Sequence, residues 1–192
     1  YHSMSLTSLL KQFGCDPEPI NEGFAVSVAM TGVNNTTALS FSFGAGLVNC
    51  CLSYKGINLF EFSINKSGDF IDWQAAQAVG ESTAHVSYIK ENKLDLSKNE
   101  YDVSHEERAL IFSYRYIVQN TLAEVKKAFI AQDSVRVIED IPIFISGGTS
   151  MPNGFLDLFK QELKAVKLPF KVSDIFQAPN PLKTVAKGCL IY

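Results

Sequence analysis

The segment from Thr37 to Ile64 constrains the fold of this 192-residue chain most strongly. It contains three runs rich in apolar and β-branched residues, "TALSFSF", "VNCCLSY" and "INLFEFSI". A glycine-containing loop separates the first two runs, and the pair Lys55-Gly56 separates the second from the third. Short runs of this composition joined by tight glycine turns are typical of neighbouring antiparallel strands. We therefore predict a three-stranded antiparallel meander.

Helical and strand-like patterns alternate in the rest of the chain. Residues 3–13 carry leucines at helical spacing and precede Gly14, so we predict an amphipathic helix that ends there. Ser104 and Glu107 form a capping-box pattern at the start of a long helix with one apolar face. The other predicted elements are a short helix in "INEGFAVSVAM", a helix from Asp69 to Gly80, a weak helix and loop over 81–103, a buried strand "IPIFIS", a helix in "MPNGFLDLFKQELKAV", a strand "FKVSDIF" and a last helix from Asn180.

The composition argues against several classes of function. The chain has 17 basic and 20 acidic residues and a net charge of −3, which lacks the basic excess of a nucleic-acid-binding protein. No apolar run approaches the roughly 20 residues that cross a bilayer, and the N-terminal segment lacks a signal-peptide pattern, so we predict a cytoplasmic protein without a membrane span. The four cysteines show no CxxC spacing and are predicted to be buried, reduced thiols. No histidine has metal-ligand spacing, so we predict no protein-bound metal.

Several short motifs along the chain resemble one known superfamily, in the same order. "INEGFAVSVA" (Ile20–Ala29) resembles the "INEPTAAALA" segment of the DnaK-type heat-shock chaperone ATPases, and "SFGAGLVN" (Ser42–Asn49) resembles their second phosphate loop, usually DLGGGTxD. "KSGDFID" (Lys66–Asp72) resembles the "IGGDxFD" element of MreB-type and chaperone relatives. "IFISGGTSMPNG" (Ile143–Gly154) resembles the adenosine motif, and "NPLKTVAKGCLIY" resembles the closing "NPDEAVAIGAA" helix.

The chain thus resembles the C-terminal half of the actin-like ATPase superfamily, which includes DnaK-type chaperones, MreB and PilM. The resemblance implies an α/β fold, the ribonuclease H-like half-domain. Its mixed sheet combines a three-stranded antiparallel meander with alternating helices and strands. A single half-domain would occupy residues 1–192, with a core of about 1–80 and 136–192 and a helical insertion of about 81–135.

The resemblance also implies a nucleotide site for ATP or ADP, with Mg²⁺ as the companion ion. Glu22 falls on the family's glutamate near the metal and the attacking water. Glycine allows close approach of backbone N–H groups to phosphate, although either glycine loop taken alone is more often a simple turn. The implied cofactor-binding residues are Gly44, Ala45 and Gly46 at the phosphates, Gly68 and Asp69 near the metal or groove, and Gly147, Gly148, Thr149 and Ser150 at the ribose and adenine.

The phosphate loop departs from the family pattern at three positions. Ser42 replaces the usual first Asp, Leu47 replaces the Thr that contacts phosphate, and Asn49 replaces the later Asp. Carboxylates help to hold hydrated Mg²⁺ beside phosphates, so their loss predicts weak or absent hydrolysis. Whether the chain is an enzyme stays open; at most we expect a weak ATPase when it is joined to the other half.

The first phosphate hairpin of the superfamily, DxGTTxS, has no match before residue 20. We therefore expect the second half only, either excised or natural, with the missing N-terminal half as its partner. Three functions follow from the sequence. The first is a nucleotide-binding half-domain, and the second is a non-enzymatic scaffold for partner binding or self-assembly, similar to PilM or FtsA. The third and weaker one is a sugar or acyl kinase relative.

Overall fold

The computed structural model describes residues 2–33, 36–131 and 139–192. The first part of the chain forms two helices and the predicted meander: α1 (His2–Gln12), α2 (Glu22–Thr31), β1 (Ala38–Phe43), β2 (Val48–Tyr54) and β3 (Ile57–Ile64). Three helices follow: α3 (Gly68–Val79), α4 (Thr83–Asn92) and α5 (His105–Ala131). The last part alternates strand and helix: β4 (Ile141–Ser146), α6 (Phe155–Ala165), β5 (Val172–Gln177) and α7 (Thr184–Ile191).

The five strands form one mixed sheet in the order β3-β2-β1-β4-β5. The meander β1-β2-β3 is antiparallel, whereas β4 and β5 run parallel to β1. Lys55 and Gly56 both have positive φ, 49° and 82°, as a tight two-residue hairpin turn requires. The predicted α/β fold with a mixed sheet and a meander is confirmed.

Helices cover both faces of the sheet. On one face, apolar side chains of β1 and β4 pack with α3, α5 and α6 in the main core, where Phe41 and Phe159 are in ring contact. On the other face lie α2 and α7, which meet so closely that a Cβ atom at Gly188 would clash with the Ala25 carbonyl. Helix α2 is buried from Gly23 to Ala29, so it is apolar around most of its circumference.

Helix α1 forms as predicted but does not bury its apolar face. Gly14 ends it with φ of 78°, and Cys15 N–H donates to the Leu10 carbonyl, as in a Schellman motif. Yet the side chains of its apolar stripe are 41% to 77% exposed. These residues are Leu6, Leu9, Leu10 and Phe13. None of the helices in the described ranges is both long and apolar enough to span a membrane.

Two predictions are corrected by the structure. The last helix begins at Thr184, not Asn180, because the Pro181 carbonyl instead accepts hydrogen bonds from Ser146 and Gly147 at the end of β4. The prediction of four buried thiols is wrong for Cys15 and Cys189, which are exposed. Cys50 and Cys51 are buried, and burial raises the pKa of the Cys51 thiol to about 12.

Candidate functional site at the carboxyl ends of β1 and β4

A loop over residues 44–47 joins β1 to β2 at the edge of the sheet where the parallel strands β1 and β4 both end. In open α/β sheets, ligands bind outside the carboxyl ends of strands. Gly44 N–H donates to the Leu47 carbonyl at 2.9 Å, which closes the turn. The next three residues, Ala45, Gly46 and Leu47, are exposed. Their backbone N–H groups have no hydrogen-bond acceptor among the described residues.

The base of this loop is fixed by hydrogen bonds to two other segments. The Gly44 carbonyl accepts from Ser67 Oγ at 2.6 Å, from Thr149 Oγ1 at 2.7 Å and from Gly68 N–H at 3.3 Å. The Ala45 carbonyl accepts from Asp69 N–H at 2.8 Å. The loop base is therefore rigidly attached while its tip faces solvent.

Position 68 requires glycine because Thr149 and the loop pack closely against its backbone. A Cβ atom there would lie 2.5 Å from Thr149 Oγ1 and 3.4 Å from the Ala45 Cα atom. By contrast, a Cβ atom at Gly46 would meet nothing nearer than an Asp69 carboxylate oxygen at 4.0 Å. The structure thus brings the predicted phosphate-loop residues together with Gly68, Asp69 and Thr149.

The turn after β4 is more tightly packed than its sequence suggests. Gly147 has φ of 96°, and a Cβ atom there would clash with the backbone of Phe43. Thr149 and Ser150 are buried, and Ser150 Oγ donates to the Gly147 carbonyl at 2.8 Å. Their hydroxyls therefore bond to the backbone rather than face solvent, and Gly148 is the exposed residue of the four.

Glu22, the predicted catalytic residue, takes part in a polar network across three strands. Its Oε2 atom accepts from Ser42 Oγ at 2.9 Å and from Asn49 Nδ2 at 3.0 Å. Asn49 Oδ1 in turn accepts from Ser63 Oγ at 2.6 Å. Ser42, Asn49 and Ser63 are direct register partners on β1, β2 and β3. Two of the three neutral replacements, Ser42 and Asn49, therefore donate hydrogen bonds directly to Glu22.

Glu22 is positioned by the first turn of α2. The Asn21 side chain caps this helix by accepting from the N–H groups of Gly23 and Phe24. A Cβ atom at Gly23 would lie 2.8 Å from the Cys51 backbone nitrogen, so the helix start rests directly on β2. Close packing at this point places the Glu22 carboxylate beside Ser42 and Asn49.

A buried ion pair supports the start of α3. Lys90 Nζ lies 2.7 Å from Asp72 Oδ2 and donates to the Gly68 carbonyl at 3.3 Å. The other Asp72 oxygen and the Tyr114 hydroxyl are buried and have no partner in the described part of the chain. Burial, with the negative charge of Asp72 nearby, raises the pKa of Tyr114, so its hydroxyl stays protonated.

Sequence reasoning did not identify the roles of Ser63 and Lys90. The register of the meander could have pointed to Ser63, since Ser42, Asn49 and Ser63 are small polar residues at matching positions of neighbouring strands. Lys90 carried no local signal, because its partners are distant in sequence.

Two concave surfaces of the molecule lie away from the loop, one beside α6 and β5 and one beside residues 96–101.

Comparison with known proteins identifies the family and the fold. Residues 1–192 match the protein family described as Volactin, so the chain belongs to that family. The ethanolamine utilization protein EutJ of Carboxydothermus hydrogenoformans superposes with a TM-score of 0.62 at 19% sequence identity. The match covers 90% of this chain and 54% of EutJ, so the chain spans about half the length of that protein. EutJ has the actin-like ATPase fold, and this chain shares it. No curated protein matches the sequence.

Proposed function

We propose that this member of the Volactin family is a nucleotide-binding half of an actin-like protein, which holds phosphate without efficient hydrolysis. The observation that carries the proposal is the loop at 44–47. Three successive residues at its exposed tip have backbone N–H groups without an acceptor in the described structure, while its base is fixed by hydrogen bonds. Clustered N–H groups of this kind form anion-binding concavities.

The residues at the loop fit a phosphate group. Gly46 leaves space above the tip, and the fixed Gly44 carbonyl prevents the loop from collapsing onto its own amides. The exposed backbone of Gly148 lies at the end of the neighbouring strand β4, where a nucleoside would extend from the phosphates. The bound nucleotide would supply the phosphate charge and a phosphoanhydride bond; this chain would supply orientation.

The residues near Glu22 are less suited to holding Mg²⁺ through carboxylates than the loop is to holding phosphate. Ser42 and Asn49 add no negative charge there, and both donate to the Glu22 carboxylate, which occupies one of its oxygens. Two fixed donors already engage Oε2, so that oxygen is not free to orient an attacking water. This network supports binding with weak or no turnover, the role of a nucleotide sensor.

Helix α1 supports the proposal that the chain works with another half. Its exposed stripe of Leu6, Leu9, Leu10 and Phe13 is the kind of apolar surface that another domain covers. The match to only 54% of EutJ leaves a segment of similar size for that role. Closure of two halves on a nucleotide would couple occupancy to domain rotation.

Calorimetric titration of ATP and ADP tests the proposal in this chain and in a protein extended by its upstream coding sequence. We expect weak binding by the chain alone, tighter binding by the extended protein, and little dependence on Mg²⁺ in either. Phosphate release should be near the uncatalysed background. Absence of binding in both proteins would contradict the proposal.

A matched variant tests the part played by the polar network. Ser42→Asp with Asn49→Asp places three carboxylates together, so we expect ATP binding by the extended variant to become Mg²⁺-dependent. The variant Ser42→Ala with Asn49→Ala removes the same donors without adding charge and should stay Mg²⁺-independent. Equal Mg²⁺ dependence of the two variants would contradict the role assigned to these positions.

A non-enzymatic scaffold is the second candidate, and the exposed face of α1 favours it. In that case Leu6→Ser with Leu10→Ser would abolish association with a partner or a second copy, and ATP would have no effect on assembly. The first proposal instead predicts that the same variant loses the tight ATP binding of the extended protein.

A further inference from the structure

A shallow groove of about 420 Å³ lies between the end of α6 and strand β5. Its floor consists of half-buried apolar side chains that pack against the main core. These are Leu163, Val166, Leu168, Phe170, Val172 and Ile175. Phe170 is held from below by Phe129 of α5, with ring centroids 4.7 Å apart. The groove is on the α6 side of the sheet and does not include the candidate nucleotide loop.

Basic residues outnumber acidic residues around this groove. Lys160 and Lys164 line it one helical turn apart on α6, and Asp174 is the acidic residue in the lining. Lys167 and Lys171 are exposed in the segment that joins α6 to β5. None of the four side-chain ammonium groups makes an ion pair or hydrogen bond with the described residues. A positive potential over an apolar floor therefore favours a ligand with both apolar and acidic groups.

Strand β5 lies at the end of the sheet order. Among the described strands it pairs only with β4. The outer side of such a strand presents backbone N–H and C=O groups that can pair with an added strand. In an added strand, alternate side chains would face the groove, and the others would face away from it.

We propose that the groove binds an extended acidic segment of a partner protein, which adds a strand to β5. Apolar side chains of the segment fill the floor around Leu163 and Ile175, and its carboxylates pair with Lys160 and Lys164. The backbone of the segment pairs with the outer edge of β5. The surface is thus a peptide-docking site that is separate from the nucleotide loop.

Fluorescence anisotropy with three labelled probe peptides tests the chemistry. The first alternates valine and glutamate over nine residues, the second replaces each glutamate by lysine, and the third is the acidic peptide with alternate backbone nitrogens methylated. We expect the acidic peptide to bind the chain about 10-fold more tightly than the basic one, the effect of two exposed ion pairs together. Methylation should abolish binding, because it removes the donors that strand pairing needs.

Charge reversal on α6 supplies the site-specific test. Lys160→Glu with Lys164→Glu should invert the preference between the acidic and basic peptides. The matched control is Lys183→Glu with Lys187→Glu, which has the same spacing and net charge but lies on or beside α7, across the sheet. The control should bind the acidic peptide as the unchanged chain does. Backbone NMR should place the shifted resonances at Leu163 and in β5.

Four outcomes would overturn the proposal. Equal binding of the acidic and basic peptides would show that charge does not select the ligand, and no binding of either would show that the groove does not bind an extended peptide. Shifts confined to other surfaces would place the peptide elsewhere. Loss of a dimer in Lys160→Glu with Lys164→Glu by sedimentation, without peptide binding in the unchanged chain, would assign the groove to a second copy.

Discussion

The two glycine loops at the carboxyl edge of the sheet differ in what they leave free. In the loop over 44–47, three backbone N–H groups lack acceptors in the described structure, and a Cβ atom at Gly46 would meet nothing nearer than an Asp69 carboxylate oxygen at 4.0 Å. In the turn over 147–150, Thr149 and Ser150 donate to backbone carbonyls, and Gly147 is pressed against Phe43. The two segments each contain two glycines but serve different purposes: the loop over 44–47 exposes backbone N–H groups, and the turn over 147–150 holds that loop in place through Thr149.

This difference also explains why glycine motifs are ambiguous in sequence. At Gly147 the absence of a side chain is needed for packing, with φ of 96° and backbone in contact. At Gly46 no steric contact requires glycine, so access to the backbone is the remaining physical reason for it. A substitution at Gly147 should therefore lower stability, whereas at Gly46 a methyl group should be tolerated and a negatively charged side chain should weaken phosphate binding.

The substitution with the largest expected effect is Gly147→Ala. It adds a methyl group that clashes with the Phe43 backbone and strains a positive φ, so we expect a loss of about 4 kcal/mol in unfolding free energy. Urea denaturation measures this loss. Gly46→Ala is the control and should change stability by less than about 0.5 kcal/mol. Similar stability of the two variants would contradict the division of roles.

The next largest effect on stability is expected at the buried ion pair between Lys90 and Asp72, which holds the start of α3 beneath the loop over 44–47. Lys90→Met leaves Asp72 buried without its partner and removes a donor to the Gly68 carbonyl, so we expect a loss of about 3 kcal/mol. Lys93→Met on the same helix end is the control, because Lys93 is exposed and lies over the ring of Tyr88. If both variants unfold at the same denaturant concentration, the ion pair does not support α3.

A smaller effect is expected at the contact between the two loops. Thr149→Val removes one of three donors to the Gly44 carbonyl, so we expect a loss of about 1 kcal/mol. Exchange of the Gly44 amide, whose N–H donates to the Leu47 carbonyl, should become faster at the same time. Thr149→Ser keeps the hydroxyl and should retain slower exchange; faster exchange in both variants would assign the effect to packing instead.

Local sequence patterns were sufficient for most of the fold. Alternating apolar runs and the Lys55-Gly56 turn predicted the meander, and Gly14 predicted the end of α1. The start of α7 was not predictable, because the Pro181 carbonyl bonds to Ser146 and Gly147 rather than to its own helix. The exposure of α1 was equally hidden, since an amphipathic pattern shows an apolar face but not what covers it.

The sequence motifs predicted which residues lie together at this edge of the sheet, but not how their side chains are hydrogen-bonded; that this edge binds a nucleotide stays a proposal. The motifs placed Gly44, Gly68 and Gly147 at one edge, and the structure brings them together. The motifs gave no indication that Ser42 and Asn49 donate to Glu22. In sequence, a neutral residue in place of Asp indicates only the loss of a carboxylate, and its new hydrogen-bond partner is known only from the structure. Nor did they show that the Thr149 hydroxyl faces inward.

NMR titration of pyrophosphate and ATP into the chain, with and without Mg²⁺, tests the central claim most directly. We predict millimolar binding that shifts the amide resonances of Ala45, Gly46 and Leu47 first, with and without the metal. Gly46→Ala should keep this response. Gly46→Asp should weaken it about 10-fold or more by placing a second carboxylate beside Asp69 and the anion. Shifts centred elsewhere, or an unchanged affinity in Gly46→Asp, would contradict the claim that this loop binds phosphate.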